Sequence, residues 1–234
     1  MHVTERPTKQ RTEVRQAGLV EAALQLAAQR SPADISTGDL ARAVGITQGA
    51  VFKHFASKEA IWLAVLDWAT DALMTRLQAA AQDAQHAHSP TTQHPSTDPT
   101  FPASGAARPA LAALRAVFLA HVGFVVAQPG VPRVVFQELQ RPGDTALKVH
   151  VRALLARYRQ LLMQLLQQAE QEQSIAPATD LQAAAVLFIG SVQGLVMQAL
   201  ISGDVPAMAV QAPGIFALYQ RALQNDPQDS RGTA

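Results

Sequence analysis

Apolar residues recur at helical spacing along most of the chain, and this pattern predicts a succession of amphipathic helices. The predicted helices cover residues 13–30, 58–87, 110–128, 131–140, 144–173, 181–201 and 213–223. Few β-branched runs alternate with period two, so we expect an all-α protein. The stretch 181–201 is apolar over most of its surface, which predicts a helix that is buried nearly all round.

Two short helical patterns stand on either side of Gly45. Ser36 and Asp39 have the spacing of a capping box at the start of the first pattern. Gly45 can close that helix in the left-handed conformation at little steric cost. Thr47 is a good N-cap for a second helix over residues 48–55. This order predicts a helix-turn-helix.

The segment resembles the DNA-binding domain of the TetR family of transcriptional repressors over roughly residues 14–66. The family-like elements are the alanine-rich first helix, the capped STGDLA segment, the VGIT turn, the GAVFKHF helix and the ASKEAIW exit. The resemblance implies a three-helix DNA-binding domain at 13–67 and a helical effector-binding and dimerisation domain at 68–225. We expect a flexible basic arm at 1–12 and a polar tail at 226–234.

The same resemblance implies how such a protein works. A single recognition helix spans too few base pairs for useful specificity, so a homodimer reads a palindrome in double-stranded DNA. The helices at 181–201 and 213–223 are expected to build the dimer, and the long helix at 58–87 to carry movement between domains. A small molecule bound in the second domain favours a conformer that no longer fits the operator, so the expected function is a ligand-released repressor.

Candidate DNA contacts follow from the matching positions. Gln48 has an amide suited to adenine, and Ala50 can lie against a thymine methyl. Lys58 matches a position that holds the DNA backbone. Phe52 stands where the family commonly has tyrosine, and Gly38 where some members have a base-reading arginine, so the operator sequence cannot be inferred. The full candidate set is Ser36, Thr37, Thr47, Gln48, Ala50, Phe52, Lys53, His54 and Lys58. The alternative is that these are simply exposed helix residues.

Candidate effector contacts are apolar or weakly polar residues on helices that we expect to face inward. They are Phe118, His121, Phe124, Phe136, Tyr158, Phe188, Gln193 and Met197. Core packing is the favoured alternative for each of them. His121 and Gln193 are the more specific candidates, because a polar group on an apolar face needs a hydrogen-bond partner. With few charged residues in these helices, we expect a largely apolar or aromatic effector.

Charge and composition narrow the function classes. The 234 residues carry a formal net charge of +1, so the whole protein is not a generic polyanion binder, although its first quarter is net positive. The absence of cysteine excludes disulfides, thiolate metal sites and cysteine nucleophiles. We expect no segment able to span a bilayer and no signal peptide, and therefore a soluble cytoplasmic protein without a membrane partner.

The stretch 89–109 carries five prolines among Ser, Thr and Gly, and we expect a flexible insertion there. His86, His88 and His94 lie near it, but a loose segment without a carboxylate partner does not predict a metal site. No nucleophile elbow or phosphate loop is present, so we expect neither a cofactor nor an enzyme. A non-sequence-specific DNA-organising dimer, or less plausibly an enzyme of unknown reaction, stays open as an alternative.

Overall fold

A computed structural model describes residues 7–88 and 108–224. These residues form nine α-helices and no strand, which confirms the all-α prediction. The helices are α1 (Pro7–Gln29), α2 (Thr37–Ala43), α3 (Gln48–Val51), α4 (Lys58–His88), α5 (Pro109–Ala127), α6 (Gly130–Leu139), α7 (Ala146–Gln171), α8 (Leu181–Ser202) and α9 (Ala207–Gln224). A 3-10 turn, Pro32–Asp34, connects α1 to α2.

The basic arm expected at 1–12 is wrong in its second half, because α1 begins at Pro7. Proline is well suited to the first helical position, since its missing N–H has no intrahelical partner there and its φ is already helical. The rest of the arm, the tail at 226–234 and residues 89–107 of the expected insertion lie outside the described residues. Pro109, which we assigned to that insertion, is the first residue of α5.

The last helix does not start at Pro213, as the sequence suggested, but at Ala207, and it continues through that proline. An interior proline costs about 3 kcal/mol. Met208, Ala212 and Phe216 stand four residues apart on one face, and each is at most 1% exposed. Burial of large apolar side chains contributes about 1.5–3 kcal/mol each, which offsets the proline.

The described chain packs as two compact units. The first joins residues up to Ala72 with Ala127–Ala156, and the second joins Leu73–Val126 with the residues from Arg157 onward. Packing therefore groups α6 and the first part of α7 with the helix-turn-helix, whereas the sequence suggested a division at residue 67. The apolar centre of the first unit consists of fully buried side chains from α1, α2, α3 and α4 and from the connection before α2. They include Leu19, Ala23, Ile35, Leu40, Val51, Ile61 and Val65.

Within the first unit, α1 and α6 touch backbone to backbone at Gly130. A Cβ added to this glycine would lie 2.3 Å from the carbonyl oxygen of Leu24 and 3.1 Å from the amide nitrogen of Ala28. Since no side chain fits in that space, only glycine lets α6 lie this close to α1.

The second unit is built around aromatic side chains from α5, α7, α8 and α9. Phe118, Phe188, Phe216 and Tyr158 are at most 1% exposed. The polar face of α7 points to solvent, while α5 and α8 carry almost no charge.

Two helices are long and apolar enough to cross a membrane by length and composition, so the expectation that no segment has such an apolar run is wrong. They are Pro109–Ala127 and Leu181–Ser202, and their apolar windows are 50% and 44% buried inside the protein. Core helices of soluble proteins pass the same test, so this is weak evidence for membrane insertion.

We predict that Gly130→Ala destabilises the protein by about 1–3 kcal/mol, because the new methyl group overlaps the α1 backbone. Urea unfolding measures the difference. Gly18→Ala is the matched control, since no heavy atom lies within 4 Å of its added Cβ. That substitution should leave stability unchanged or raise it by about 0.5–1 kcal/mol. Equal effects of the two substitutions would contradict the close approach of α6 to α1.

Candidate nucleic-acid interface and effector core

The start of α2 is held by a complete capping box. The Asp39 backbone N–H donates to Ser36 Oγ at 3.1 Å, and the Ser36 backbone N–H donates to Asp39 Oδ2 at 2.9 Å. The Ser36 hydroxyl also donates to Asp39 Oδ2 at 2.8 Å. Ser36, expected among the DNA contacts, is therefore engaged in fixing the helix start.

Asp39 also joins α2 to the end of α1. Its carboxylate lies 3.1 Å from Arg30 Nη2 and 3.1 Å from Arg42 Nη1. The hydrogen bonds from Ser36, and then the Arg30 guanidinium, hold the pKa of Asp39 well below its usual range. This carboxylate therefore stays ionised and keeps both arginines at the helix-turn-helix.

The turn between α2 and α3 is a Schellman motif centred on Gly45. Its backbone φ is +69°, a left-handed value that favours glycine. The Ile46 N–H donates to Ala41 O at 2.9 Å and the Gly45 N–H to Arg42 O at 3.3 Å, as this motif requires. The two helices are thus set at a fixed angle by backbone hydrogen bonds.

The recognition helix is shorter than predicted. It ends at Val51 rather than at Phe55, and the chain continues in a turn in which the Lys53 N–H donates to Ala50 O and the His54 N–H to Val51 O. A helix this short gains little from cooperative propagation, and the hydrogen bonds between residues three apart tighten its last turn. Val51 alone of its four residues is buried, so the other three face outward or lie at the rim.

Polar groups surround the exposed face of α3. Thr47 caps the helix by accepting from the Ala50 N–H at 3.3 Å. The Gln48 Nε2 donates to Thr37 Oγ1 at 2.9 Å, which joins the first residues of α2 and α3. Lys53 is exposed and Phe52 is 49% exposed, an unusual position for a large aromatic ring.

Three of the predicted DNA contacts are less available than expected. Ala50 and His54 are half-buried, and His54 Nδ1 is buried without a hydrogen-bond partner. The backbone carbonyl of His54 accepts from Gln16 Nε2 at 2.9 Å. Lys58 is half-buried as well, and its Nζ donates to Ala33 O at 3.0 Å.

The second unit brings several of the predicted effector residues together, but as packed rings. The Phe118 and Phe188 centroids are 5.2 Å apart in an edge-to-face arrangement, and Phe216 lies 5.6 Å from Phe118. Tyr219 stands 5.4 Å from Phe188 and donates its hydroxyl to Ala184 O at 3.2 Å. Phe124 is also buried. These contacts are what the core alternative predicted.

His121 and Tyr158 form the one polar pair described at the edge of this cluster. The distance between His121 Nδ1 and Tyr158 Oη is 3.1 Å. Burial lowers the pKa of His121 to about 4 and raises the pKa of Tyr158 far above its usual value. Both groups are therefore neutral near pH 7, and each supplies the partner that the other needs.

Three predicted effector residues do not join the cluster. Phe136 belongs to the first unit and is half-buried there. Gln193 and Met197 are exposed, so the expectation that they face inward is wrong. The reason is the helical phase of α8. Its buried face runs through Phe188, Val192, Leu195 and Ala199, which turns residues 193 and 197 toward solvent.

The outward faces of α8 and α9 carry an apolar surface, on the two helices that we expected from the sequence to build the dimer. Most of its large side chains are about half exposed or more: Val186, Leu187, Met197, Ile201, Val210 and Leu218. The apolarity of α8 on all sides was the sequence signal for this surface, although the helix is not buried nearly all round within a single chain. Gly190 and Gly194 are exposed on the same helix.

In residues 7–88 and 108–224, no group of three or more His, Asp or Glu side chains could hold a metal ion. His86 and His88 are exposed, and His94 lies outside that part of the chain.

Two family models match the chain. "Bacterial regulatory proteins, tetR family" matches residues 19–65, and "Tetracyclin repressor-like, C-terminal domain" matches residues 139–213. The chain belongs to the TetR family. It is accordingly a transcription regulator with a helix-turn-helix, as the resemblance implied. Its fold is the TetR-like one, with an N-terminal DNA-binding and a C-terminal helical domain.

Relatives of this TetR-family chain include the nucleoid occlusion factor SlmA of Marinomonas sp. (strain MWYL1), 21% identical over 77% of this chain and 80% of the relative. FadR of Bacillus subtilis in complex with stearoyl-CoA has a TM-score of 0.66 at 15% identity, covering 87% of this chain and 96% of that one. AibR in complex with isovaleryl coenzyme A and operator DNA has a TM-score of 0.59 at 19% identity, with coverages of 78% and 86%. These structural likenesses concern the fold.

We predict that the stability of this regulator falls as the pH drops from about 6.5 to about 4. The folded-state pKa of His121 is the lower one, so its contribution is complete above the unfolded-state pKa and is lost on acidification. Chemical unfolding between pH 4 and 8 measures the effect, and His121→Phe should remove this component. His86→Phe is the control, since that histidine is exposed near the end of α4. A wild-type curve that is no steeper than the His121→Phe curve would contradict the burial of this ring.

Proposed function

We propose that the protein is a ligand-responsive repressor, which binds a palindromic operator in double-stranded DNA as a homodimer and is released by a small, largely apolar effector. The observation that carries the proposal is the exposed polar surface formed by α3 and the turn after it, with Gln48 and Lys53 outward, while Val51 on the opposite side of α3 is fully buried. Family membership supports DNA binding as the use of this face.

For DNA recognition we propose distinct roles around α3. Gln48 reads a base edge through its amide, after its hydrogen bond to Thr37 rearranges. Lys53 contacts phosphate, and the Phe52 ring lies against sugar or a base methyl. Thr37, Thr47 and Ser36 hold the helix starts, where backbone N–H groups attract phosphates. Ala50 and His54 stand at the rim of this surface.

The homodimer would use the exposed apolar surface of α8 and α9. A monomer would leave these side chains in water at a cost of about 25 cal/mol per Å² of apolar area. A two-fold interface that pairs the same surface on both subunits removes that cost. The exposed glycines of α8 would allow its backbone to approach the partner closely, and Gln193 and Met197 fit this interface better than an effector site.

For the effector we propose an apolar acyl or aromatic group that meets the rings of the second unit. Phe118, Phe188 and Tyr158 supply an apolar wall, and the His121–Tyr158 pair supplies the polar contact. The AibR and FadR structures contain acyl-CoA ligands, which makes acyl-CoA thioesters the first class to test. Binding an operator requires the compartment of the chromosome, so we propose a cytoplasmic regulator without enzymatic activity.

A second candidate, favoured by the alignment with SlmA over 80% of that relative, is a nucleoid-associated protein without an effector. The two functions differ in DNA preference. Selection of bound fragments from random DNA should yield a palindrome under the first proposal, and binding should be released by one class of small molecule. Equal affinity for selected and random duplexes, together with a steep salt dependence, would reject the repressor.

We predict that Gln48→Ala weakens binding to the selected operator by about 1–3 kcal/mol per half-site and relaxes preference at one base pair in each half. Fluorescence anisotropy with the operator and with single-base variants measures both quantities. Gln29→Ala, at the exposed end of α1, is the control. Unchanged affinity and base preference would show that α3 does not read the operator.

We predict that Ile201→Lys converts the dimer into a monomer and abolishes operator binding at nanomolar protein concentrations. Ile201 is 73% exposed, so the lysine is harmless in a monomer but places like charges together across a two-fold interface. Light scattering measures the mass. Val149→Lys is the control, because that valine is 50% exposed on α7 and should leave the dimer intact. If the Ile201→Lys variant remains a dimer, this face of α8 is not the dimer interface.

A further inference from the structure

The backbone of Ala33 is held through both its N–H and its carbonyl group by side chains of α4 and α6. The Ala33 N–H donates to Gln137 Oε1 at 2.9 Å, and Lys58 Nζ donates to Ala33 O at 3.0 Å. We call this pair of hydrogen bonds the Ala33 clasp. The Ser31 hydroxyl strengthens it by donating to the same Gln137 oxygen at 3.2 Å.

The clasp lies immediately before the helix-turn-helix. Ala33 is in the 3-10 turn Pro32–Asp34, and only Asp34 and Ile35 separate it from the α2 cap, Ser36. Ile35 is fully buried, which limits the freedom of this short connection. The position of the Ala33 backbone therefore determines where α2 begins and, through the Gly45 turn, how α3 is oriented.

Packing does not by itself hold the two side chains of the clasp. A cavity of about 290 Å³ is lined by Lys58, Gln137, Trp62 and Leu147 among other residues. Side chains beside an empty volume can move unless polar contacts hold them. The hydrogen bonds to Ala33 thus carry the restraint, and a substitution that removes them leaves room for its replacement.

We propose that Gln137 and Lys58 are positioning residues for DNA binding, which hold α2 and α3 in the orientation that fits the duplex. Lys58 then acts on the Ala33 carbonyl and not as the phosphate contact that its sequence position suggests. Gln137 is not among the DNA contacts predicted from the sequence, because it lies on α6, far from the helix-turn-helix in the sequence. This inference rests on the proposed function as an operator-binding protein.

Loss of the clasp lowers the fraction of protein in the binding-competent orientation, and the apparent affinity falls by that fraction. The same factor applies to every DNA sequence and every salt concentration. Loss of a phosphate contact instead reduces the salt slope by about 0.9 per contact.

The test uses the full-length protein and a duplex that carries the palindrome selected by the wild type. Gln137→Met and Lys58→Met keep the length of each side chain and remove its hydrogen bond. Dissociation constants are measured between 50 and 200 mM salt. The slope of log affinity against log salt concentration over this range reports the number of phosphate contacts. We expect both variants to bind about tenfold more weakly with the wild-type salt slope and base preference, a factor equivalent to about 1.4 kcal/mol.

Three further variants sharpen the comparison. Gln137→Glu keeps the acceptor oxygen, so its affinity should lie within about threefold of the wild type, unlike that of Gln137→Met. Lys53→Met should flatten the salt slope by about 0.9 for each half-site, as expected for a phosphate contact. Gln140→Met, an exposed glutamine next to the end of α6, should behave as the wild type.

Each outcome decides the matter. A flattened salt slope for Lys58→Met makes Lys58 a phosphate contact, and unchanged affinity for Gln137→Met removes it from the DNA-binding machinery. If Gln137→Met does not fold, Gln137→Asn tests the same contact, because the shorter side chain withdraws its oxygen from the Ala33 N–H, and an unchanged dissociation constant there rejects the proposal. A wild type without any preferred duplex would instead refute the proposed function and is recognised before any variant is made.

Discussion

The backbone contact between α1 and α6 is the constraint on which the rest of the first unit depends. It exists because position 130 has no side chain, so the carbonyl of Leu24 occupies the space of a Cβ. Only at this separation does Gln137, two turns further along α6, reach the amide of Ala33. Packing at one end of α6 thus determines a hydrogen bond at the other, directly before the helix-turn-helix.

The two units manage polar groups in opposite ways. The helix-turn-helix is held at its corners by polar bonds, such as the Ser36–Asp39 box and the Gln48–Thr37 contact, because its elements are too short to be stable by burial. The second unit is stabilised by packed aromatic rings, and His121 at the edge of these rings has Tyr158 as its hydrogen-bond partner. The unit that contains the helix-turn-helix thus keeps its polar groups at the surface, whereas the second unit buries large aromatic rings.

Much of the site could be predicted from the sequence because its signals are local. The capping box, the left-handed Gly45 and the Thr47 cap each act within a few residues, and the structure contains all three. The end of α3 could not be predicted, since the choice between a helical and a tightened turn after Val51 is a small energy difference. Gln137 was missed because its partner is 104 residues away.

The sequence by itself determined the helical class, the helix-turn-helix and the family, because helix periodicity and helix capping depend on residues that are close in the sequence. Only the tertiary structure decided that α6 packs against α1, that α9 continues through Pro213, and that Gln193 and Met197 face solvent. These outcomes depend on which faces bury against each other. Periodicity reveals that a helix has an apolar face, but the free energy of burial, summed over distant residues, selects what covers it.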